Sequence, residues 1–172
     1  PVLPLNEYGK GKLAGDQAVE AAGGHFLIFR TSWIYSATGK NFLLTMLQLG
    51  KDRAEISVVN DQVGSPTYAE DIADWTLKAL STAREIKKFP SGVYHLVNSG
   101  ETSWHGFAQA IFEEARAAGL PMKLKTLKEV NTAEYFTPAR RPSNSRLNLE
   151  KQWRTFAISP RPWQAALKDC LQ

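Results

Sequence analysis

Segments with helical spacing alternate along this chain with short runs of β-forming residues, and that alternation leaves few architectures open. From Asn6 to Ala22, residues Tyr8, Leu13, Ala14, Ala18 and Val19 recur at helical spacing, with Gly23-Gly24 placed to stop the helix. His25 to Tyr35 is apolar and rich in β-formers, so it is expected as a buried strand that ends in a loop. A second helix is expected over Asn41 to Leu49 and a strand over Ile56 to Val59. The turn-rich Asn60-Asp61-Gln62-Val63-Gly64-Ser65-Pro66 follows, then a helix over Thr67 to Leu80. Thr67 and Glu70 have the spacing of a capping box.

The rhythm continues with a strand over Val93 to Val97 and a helix from Ser103 to about Ala118, closed by Gly119. Met122 to Leu127 alternates weakly and is expected as an edge strand, and Thr137 to Asn148 is expected as an ordered loop. Two short helices, Leu149 to Arg154 and Pro162 to Leu171, finish the chain, with proline in the first turn of the second. The fold class is therefore α/β, a mainly parallel sheet with helices packed on it. No Gly-x-Gly-x-x-Gly turn follows any of these strands.

With 172 residues and 43% hydrophobic content, the chain suits a single core. Its 21 Lys and Arg residues are scattered among 17 acidic ones, which argues against nucleic acid as a partner and leaves a mild attraction for phosphate-bearing ligands. The longest apolar runs fall short of the ~20 residues that span a bilayer, so no membrane segment is expected. A single cysteine, Cys170, excludes an intramolecular disulfide and favours the cytoplasm. His25, His95 and His105 lack partners at ligand spacing, so no metal site is expected. The opening Pro1-Val2-Leu3-Pro4 has neither an initiator methionine nor a leader pattern, and the chain is expected to begin within a longer protein.

The first residues with chemistry to offer are Tyr8 and Lys12, four apart and so on one face of a helix. A phenol titrates near ~10, and a neighbouring cation favours its phenolate, so the pair can act as a tunable acid or base. That suits reduction of a ketone, where hydride arriving at carbon leaves negative charge on oxygen for a phenol to protonate. Arg30, Thr31 and Ser32 come at the end of a strand, where open α/β sheets bind ligands; Arg30 serves equally well as a structural ion-pair partner. Trp33 is either a core residue or a broad apolar wall for a sugar. Gln62, Ser65 and Thr67 belong to a turn that either binds ligand or only bends the chain. Arg140 and Arg141 offer arginine forks for phosphate.

The order Asn6-Glu7-Tyr8-Gly9-Lys10-Gly11-Lys12, then Arg30-Thr31-Ser32-Trp33-Ile34-Tyr35, resembles the extended short-chain dehydrogenase/reductase family. Trp33, Val58 to Thr67, Tyr94-His95-Leu96-Val97-Asn98 and Arg141-Pro142-Ser143-Asn144-Ser145 are similar to the dTDP-4-dehydrorhamnose reductases within it. The resemblance implies the C-terminal part of a Rossmann-like doubly wound parallel sheet plus a smaller α/β substrate-binding region. It assigns 1–35 and 56–100 to the cofactor-binding sheet layer, and 36–55 and 101–172 mainly to the substrate-binding region. About 120 further residues upstream would carry the Gly-rich turn, so the fragment alone is expected to be inactive.

By the same resemblance Tyr8 is the proton donor, and Lys12 lowers its pKa and meets the nicotinamide ribose. Arg30 joins Tyr8 and Lys12 as a cofactor contact, and Trp33, Ser32, Thr31 and Gln62 meet the sugar. The Ser or Thr that the family keeps beside the tyrosine is not in the chain. The implied cofactor is NADPH, with NADH as the alternative, and the implied substrate is a dTDP-sugar destined for cell-surface polysaccharide. An open sheet edge would allow a homodimer. The alternatives are a sugar-nucleotide epimerase or dehydratase of the same family, or a non-catalytic reductase-like regulatory subunit.

Overall fold

A computed structural model describes residues 2–135 and 141–172. The first helix, α1 (Glu7–Ala22), begins where Asn6 leaves the helical conformation and its Oδ1 accepts from the Gly9 amide at 2.9 Å. It ends at Gly23, whose φ of 70° suits a residue without a Cβ. The expected helix is present, yet its apolar positions are not covered: α1 buries none of its residues, and Val19 stays 43% exposed.

The expected strand from His25 to Tyr35 divides in two, β1 (Leu27–Arg30) and β2 (Ile34–Tyr35). The break falls at Trp33, whose φ of 50° cannot continue an extended chain. After α2 (Phe42–Asp52), capped by Asn41, come β3 (Glu55–Val59), β4 (Val63–Gly64) and β5 (Thr67–Tyr68). Helix α3 (Ala69–Glu85), with Tyr68 at its N-cap, therefore starts one residue later than the capping box requires. Thr67 is already committed: its amide donates to the Trp33 carbonyl at 3.1 Å and its hydroxyl to the Ser65 carbonyl at 3.1 Å.

Strand β6 (Gly92–His95) and the short β7 (Thr102–Ser103) precede α4 (Trp104–Ala117), whose N-cap is Ser103. The edge strand expected from Met122 to Leu127 lies further on, as β8 (Thr126–Val130). Residues just before it are held otherwise, since the amides of Lys123 and Leu124 both donate to the Gly50 carbonyl at the end of α2. The last elements are α5 (Glu150–Phe156) and α6 (Trp163–Cys170), with Pro162 at the N-cap of α6 rather than inside its first turn.

Pairing is parallel for β1 with β6, β2 with β5 and β3 with β8, and antiparallel for β4 with β7. Each pairing is two-stranded, so the expected parallel sheet is present as separate ladders. Two apolar clusters hold them. Leu43, Ile56, Phe107, Phe112, Trp163 and Leu167 pack between α2, α4, α6 and the β3–β8 ladder. Tyr94, Leu96, Phe156 and Ile158 join Ala79 and Ala83, whose small side chains let α3 lie close to β6 and α5. Among the described residues, no helix is long and apolar enough to cross a membrane.

Candidate active site

Tyr8 and Lys12 lie one turn apart on α1, both exposed, the tyrosine 78% so. The lysine that Glu7 engages, at 2.7 Å, is Lys10. Helix α1 is tied to the sheet through Arg30, whose Nε and Nη2 donate to Asp16 Oδ2 at 3.0 and 2.8 Å. Of the two readings open for Arg30, the ion pair is the one the geometry displays. The guanidinium joins the end of β1 to the middle of α1.

Beyond Arg30 the chain leaves the β1–β6 ladder. The Thr31 hydroxyl is buried and has no hydrogen-bond partner among the described residues. The Ser32 hydroxyl donates to the Ser145 carbonyl at 3.4 Å. Trp33 then takes its left-handed φ of 50°, a conformation that costs a bulky residue about 1 to 3 kcal/mol and persists only where the surroundings impose it. They do so from two sides. The indole stacks on Trp104, with ring centroids 3.7 Å apart and planes 13° from parallel. A Cβ added to Gly64 would sit 2.7 Å from Cε2 of the same indole, so only glycine fits there.

The loop after the undescribed residues closes against this cluster. Ser145 and Ser143 bracket Val63, with the Ser145 amide donating to the Val63 carbonyl at 2.7 Å and the Val63 amide to the Ser143 carbonyl at 2.8 Å. Arg146 is held by Asn144 Oδ1 at 3.0 Å and by Glu101 at 3.2 Å. Arg141 is exposed, and Arg140 lies outside the described residues.

The turn that carries Gln62, Ser65 and Thr67 is almost wholly buried. Gln62 donates to Thr132 Oγ1 at 3.0 Å and Ser65 to the Gly100 carbonyl at 2.6 Å. Asp61 accepts from the hydroxyl and amide of Thr132, and those bonds hold its carboxyl below the usual range. Asn60, Asp61, Glu129, Val130 and Asn131 line an open depression of about 410 Å³ where β3 and β8 end. Beneath the turn, Asn98 accepts from the Tyr68 amide at 2.9 Å and donates to Asp71 at 2.6 Å. Burial raises the Tyr35 and Tyr68 hydroxyls well above the ordinary phenol range, and pushes the Cys170 thiol up to about 11.

The structure thus gathers Ser32, Trp33, the 62–67 turn and the 143–146 loop, while Tyr8 and Lys12 stand on α1, joined to them through Arg30. Trp104 is the member of this cluster that the sequence alone does not single out. Its position directly after a helix-capping serine is the one signal that aims it away from the middle of a helix.

A family model for the RmlD substrate binding domain matches residues 1–172, the full length of the chain. This chain belongs to the RmlD substrate-binding domain family. Within that family it is 51% identical over 168 residues to dTDP-4-dehydrorhamnose reductase of Escherichia coli K12, covering 98% of this chain and 56% of that protein. Two solved dTDP-4-dehydrorhamnose reductases have the same fold. The Bacillus anthracis enzyme, crystallised with NADP, matches with TM-score 0.85 and 38% identity over 98% of this chain and 56% of its own. The Clostridium acetobutylicum orthologue matches with TM-score 0.88 and 34% identity over 99% and 56%. The RmlD-type chain described here therefore spans about half the length of the curated relatives it matches.

Proposed function

We propose that this chain serves dTDP-4-dehydrorhamnose reduction, the NADPH-dependent conversion of the 4-keto group of dTDP-4-dehydro-rhamnose to the alcohol of dTDP-rhamnose. One observation carries the reading: Tyr8 and Lys12 stand one turn apart and open to solvent, within a chain 51% identical to a reductase of that name. The donors present fit a nicotinamide nucleotide, since Tyr8 and Lys12 stand exposed on one face of α1 and a related structure holds NADP. NADPH supplies the hydride, and NADH is the alternative donor.

The chain's own residues then have distinct tasks. Tyr8 gives its phenolic proton to the carbonyl oxygen as charge builds there, and Lys12 steadies the phenolate that remains and meets the ribose. Trp33, Ser32, Thr31 and Gln62 bound the sugar. Arg30 holds α1 against β1, which keeps Tyr8 in register with the strand ends, and is the remaining candidate for a cofactor contact. In this reading 1–35 and 56–100 belong to the cofactor layer, and 36–55 and 101–172 to the sugar side. We include a homodimer, because the described ladders are two-stranded and leave open strand edges. A cytoplasmic setting agrees with the free thiol of Cys170, and the product would feed cell-surface polysaccharide such as lipopolysaccharide.

The test follows NADPH absorbance when the full-length gene product meets dTDP-4-dehydro-rhamnose. Oxidation is expected, and Tyr8→Phe should lower kcat by roughly 10² to 10⁴ with little change in KM. An epimerase would consume no reduced cofactor, and a regulatory subunit would be indifferent to the loss of the hydroxyl. Either result overturns the reading.

A further inference from the structure

We propose that Trp104 and Gly64 are specificity-determining positioning residues. They clamp the Trp33 indole from its two faces, so that it meets the sugar through its edge and N–H instead of stacking on it. The inference rests on the sugar-nucleotide reading above and deepens it.

Geometry sets the two faces. A centroid separation of 3.7 Å at 13° is nearly full overlap, so Trp104 covers one side of Trp33. A Cβ on Gly64 would meet Cε2 first, at 2.7 Å, with Cζ2 at 2.9 Å and Nε1 at 3.0 Å. Cε2 lies on the fused bond, recessed from the rim, so a nearest approach to it comes from over the ring and not from the edge. The side left for it is the one Trp104 does not occupy. Trp104 is fixed in turn by Phe42, 4.6 Å away and tilted by 49°, and by its place at the start of α4, which Ser103 caps.

A tryptophan that only filled space would not need a left-handed backbone, yet Trp33 takes φ 50° and remains half-buried. The clamp holds a strained residue in one orientation with part of its rim open. Aromatic rims carry the positive side of the ring quadrupole, and the indole adds a hydrogen-bond donor there. An edge-on indole therefore selects oxygen atoms of a ligand, a hydroxyl or keto group of the sugar ring, over its methyl group.

The experiment compares wild type, Trp104→Ala, Trp104→Phe and Gly64→Ala as full-length gene products, reading KM for dTDP-4-dehydro-rhamnose and for NADPH separately. Circular dichroism reports the coupling of the two stacked indoles. Any exciton signal in the wild type should be lost in Trp104→Ala. Trp104→Ala and Gly64→Ala should each raise the sugar-nucleotide KM about tenfold and leave the NADPH KM within about twofold; Trp104→Phe, which keeps an aromatic face, should recover most of the loss. Gly64→Ala leaves the α4 core intact, so it decides the matter if Trp104→Ala does not fold. Unchanged sugar KM in the folded variants overturns the clamp. A wild type that shows the couplet but oxidises no NADPH overturns the reductase reading, and the edge-on sugar contact with it, while the stacking itself stands.

Discussion

Arg161 grips both carboxylate oxygens of Asp71: its Nε donates to them at 3.1 and 3.0 Å, and its Nη2 lies 2.9 Å from one. Asn98 donates to the same carboxylate, so the first turn of α3, the loop after β6 and the approach to α6 meet at a single buried acid. Removing one partner of a buried pair typically costs about 3 to 5 kcal/mol, less where one member reaches water. Arg161 is 34% exposed, so Asp71→Asn should destabilise by about 2 to 3 kcal/mol, read as a lower urea midpoint at unchanged slope. A loss below about 0.5 kcal/mol would show the pair to be ornamental.

Gly50 lies in the last turn of α2 with its Cα pressed against two neighbours. A Cβ there would come within 2.7 Å of Met122 Sδ and 2.8 Å of Phe112 Cε1. Alanine for glycine in an open helix gains about 1 kcal/mol. Here Met122 can swing aside, but Phe112, 1% exposed, cannot. Gly50→Ala should therefore destabilise by a net of about 1 to 2 kcal/mol, read as a lower Tm. A raised Tm would mean the contact is slack.

Cys170 should resist alkylation at neutral pH in the native protein and react once unfolded, because burial raises its thiol from 9.0 to about 11. The sign of the linked stability change follows. Below pH 9 both states hold the proton and nothing is lost; between 9 and about 11 only the unfolded thiol ionises, which favours unfolding. Tyr35 and Tyr68, also raised by burial, push the same way at higher pH. Thermal midpoints measured across this window should fall, and Cys170→Ala should flatten the early part of the decline. Identical profiles for the two proteins would contradict this.

The Arg30–Asp16 pair is partly exposed, at 32% and 18%, and should contribute about 1 kcal/mol in a double-mutant cycle. Because the pair holds α1 to β1, Asp16→Asn and Arg30→Leu should disturb the NADPH KM to the same small extent. A much larger effect from Arg30→Leu alone would show that the guanidinium touches the cofactor directly.

The helices were largely legible, and for a local reason. Asn6, Asn41 and Ser103 each announce a start through a side chain that caps the next turn, and each does so in the structure. What was not legible depended on distant partners. Thr67 looks like a cap until its amide is seen to pair with Trp33, and β8 shifts because Gly50 captures the amides of Lys123 and Leu124. In the candidate site, Tyr8 and Lys12 were visible because their relation is one helical turn. The partnership of Trp33 with Trp104 joins residues from different elements and leaves no local trace.

That same distance has a kinetic consequence. Ser32 and Ser145, whose contact closes the cluster around Trp33, are 113 positions apart, whereas each helix needs only neighbours. Bringing such remote segments together carries an entropic penalty that local turns avoid, so the cluster should organise late on the folding route. In a refolding trace, helical signal should return first, and tryptophan fluorescence from this corner of the molecule should be the last to settle.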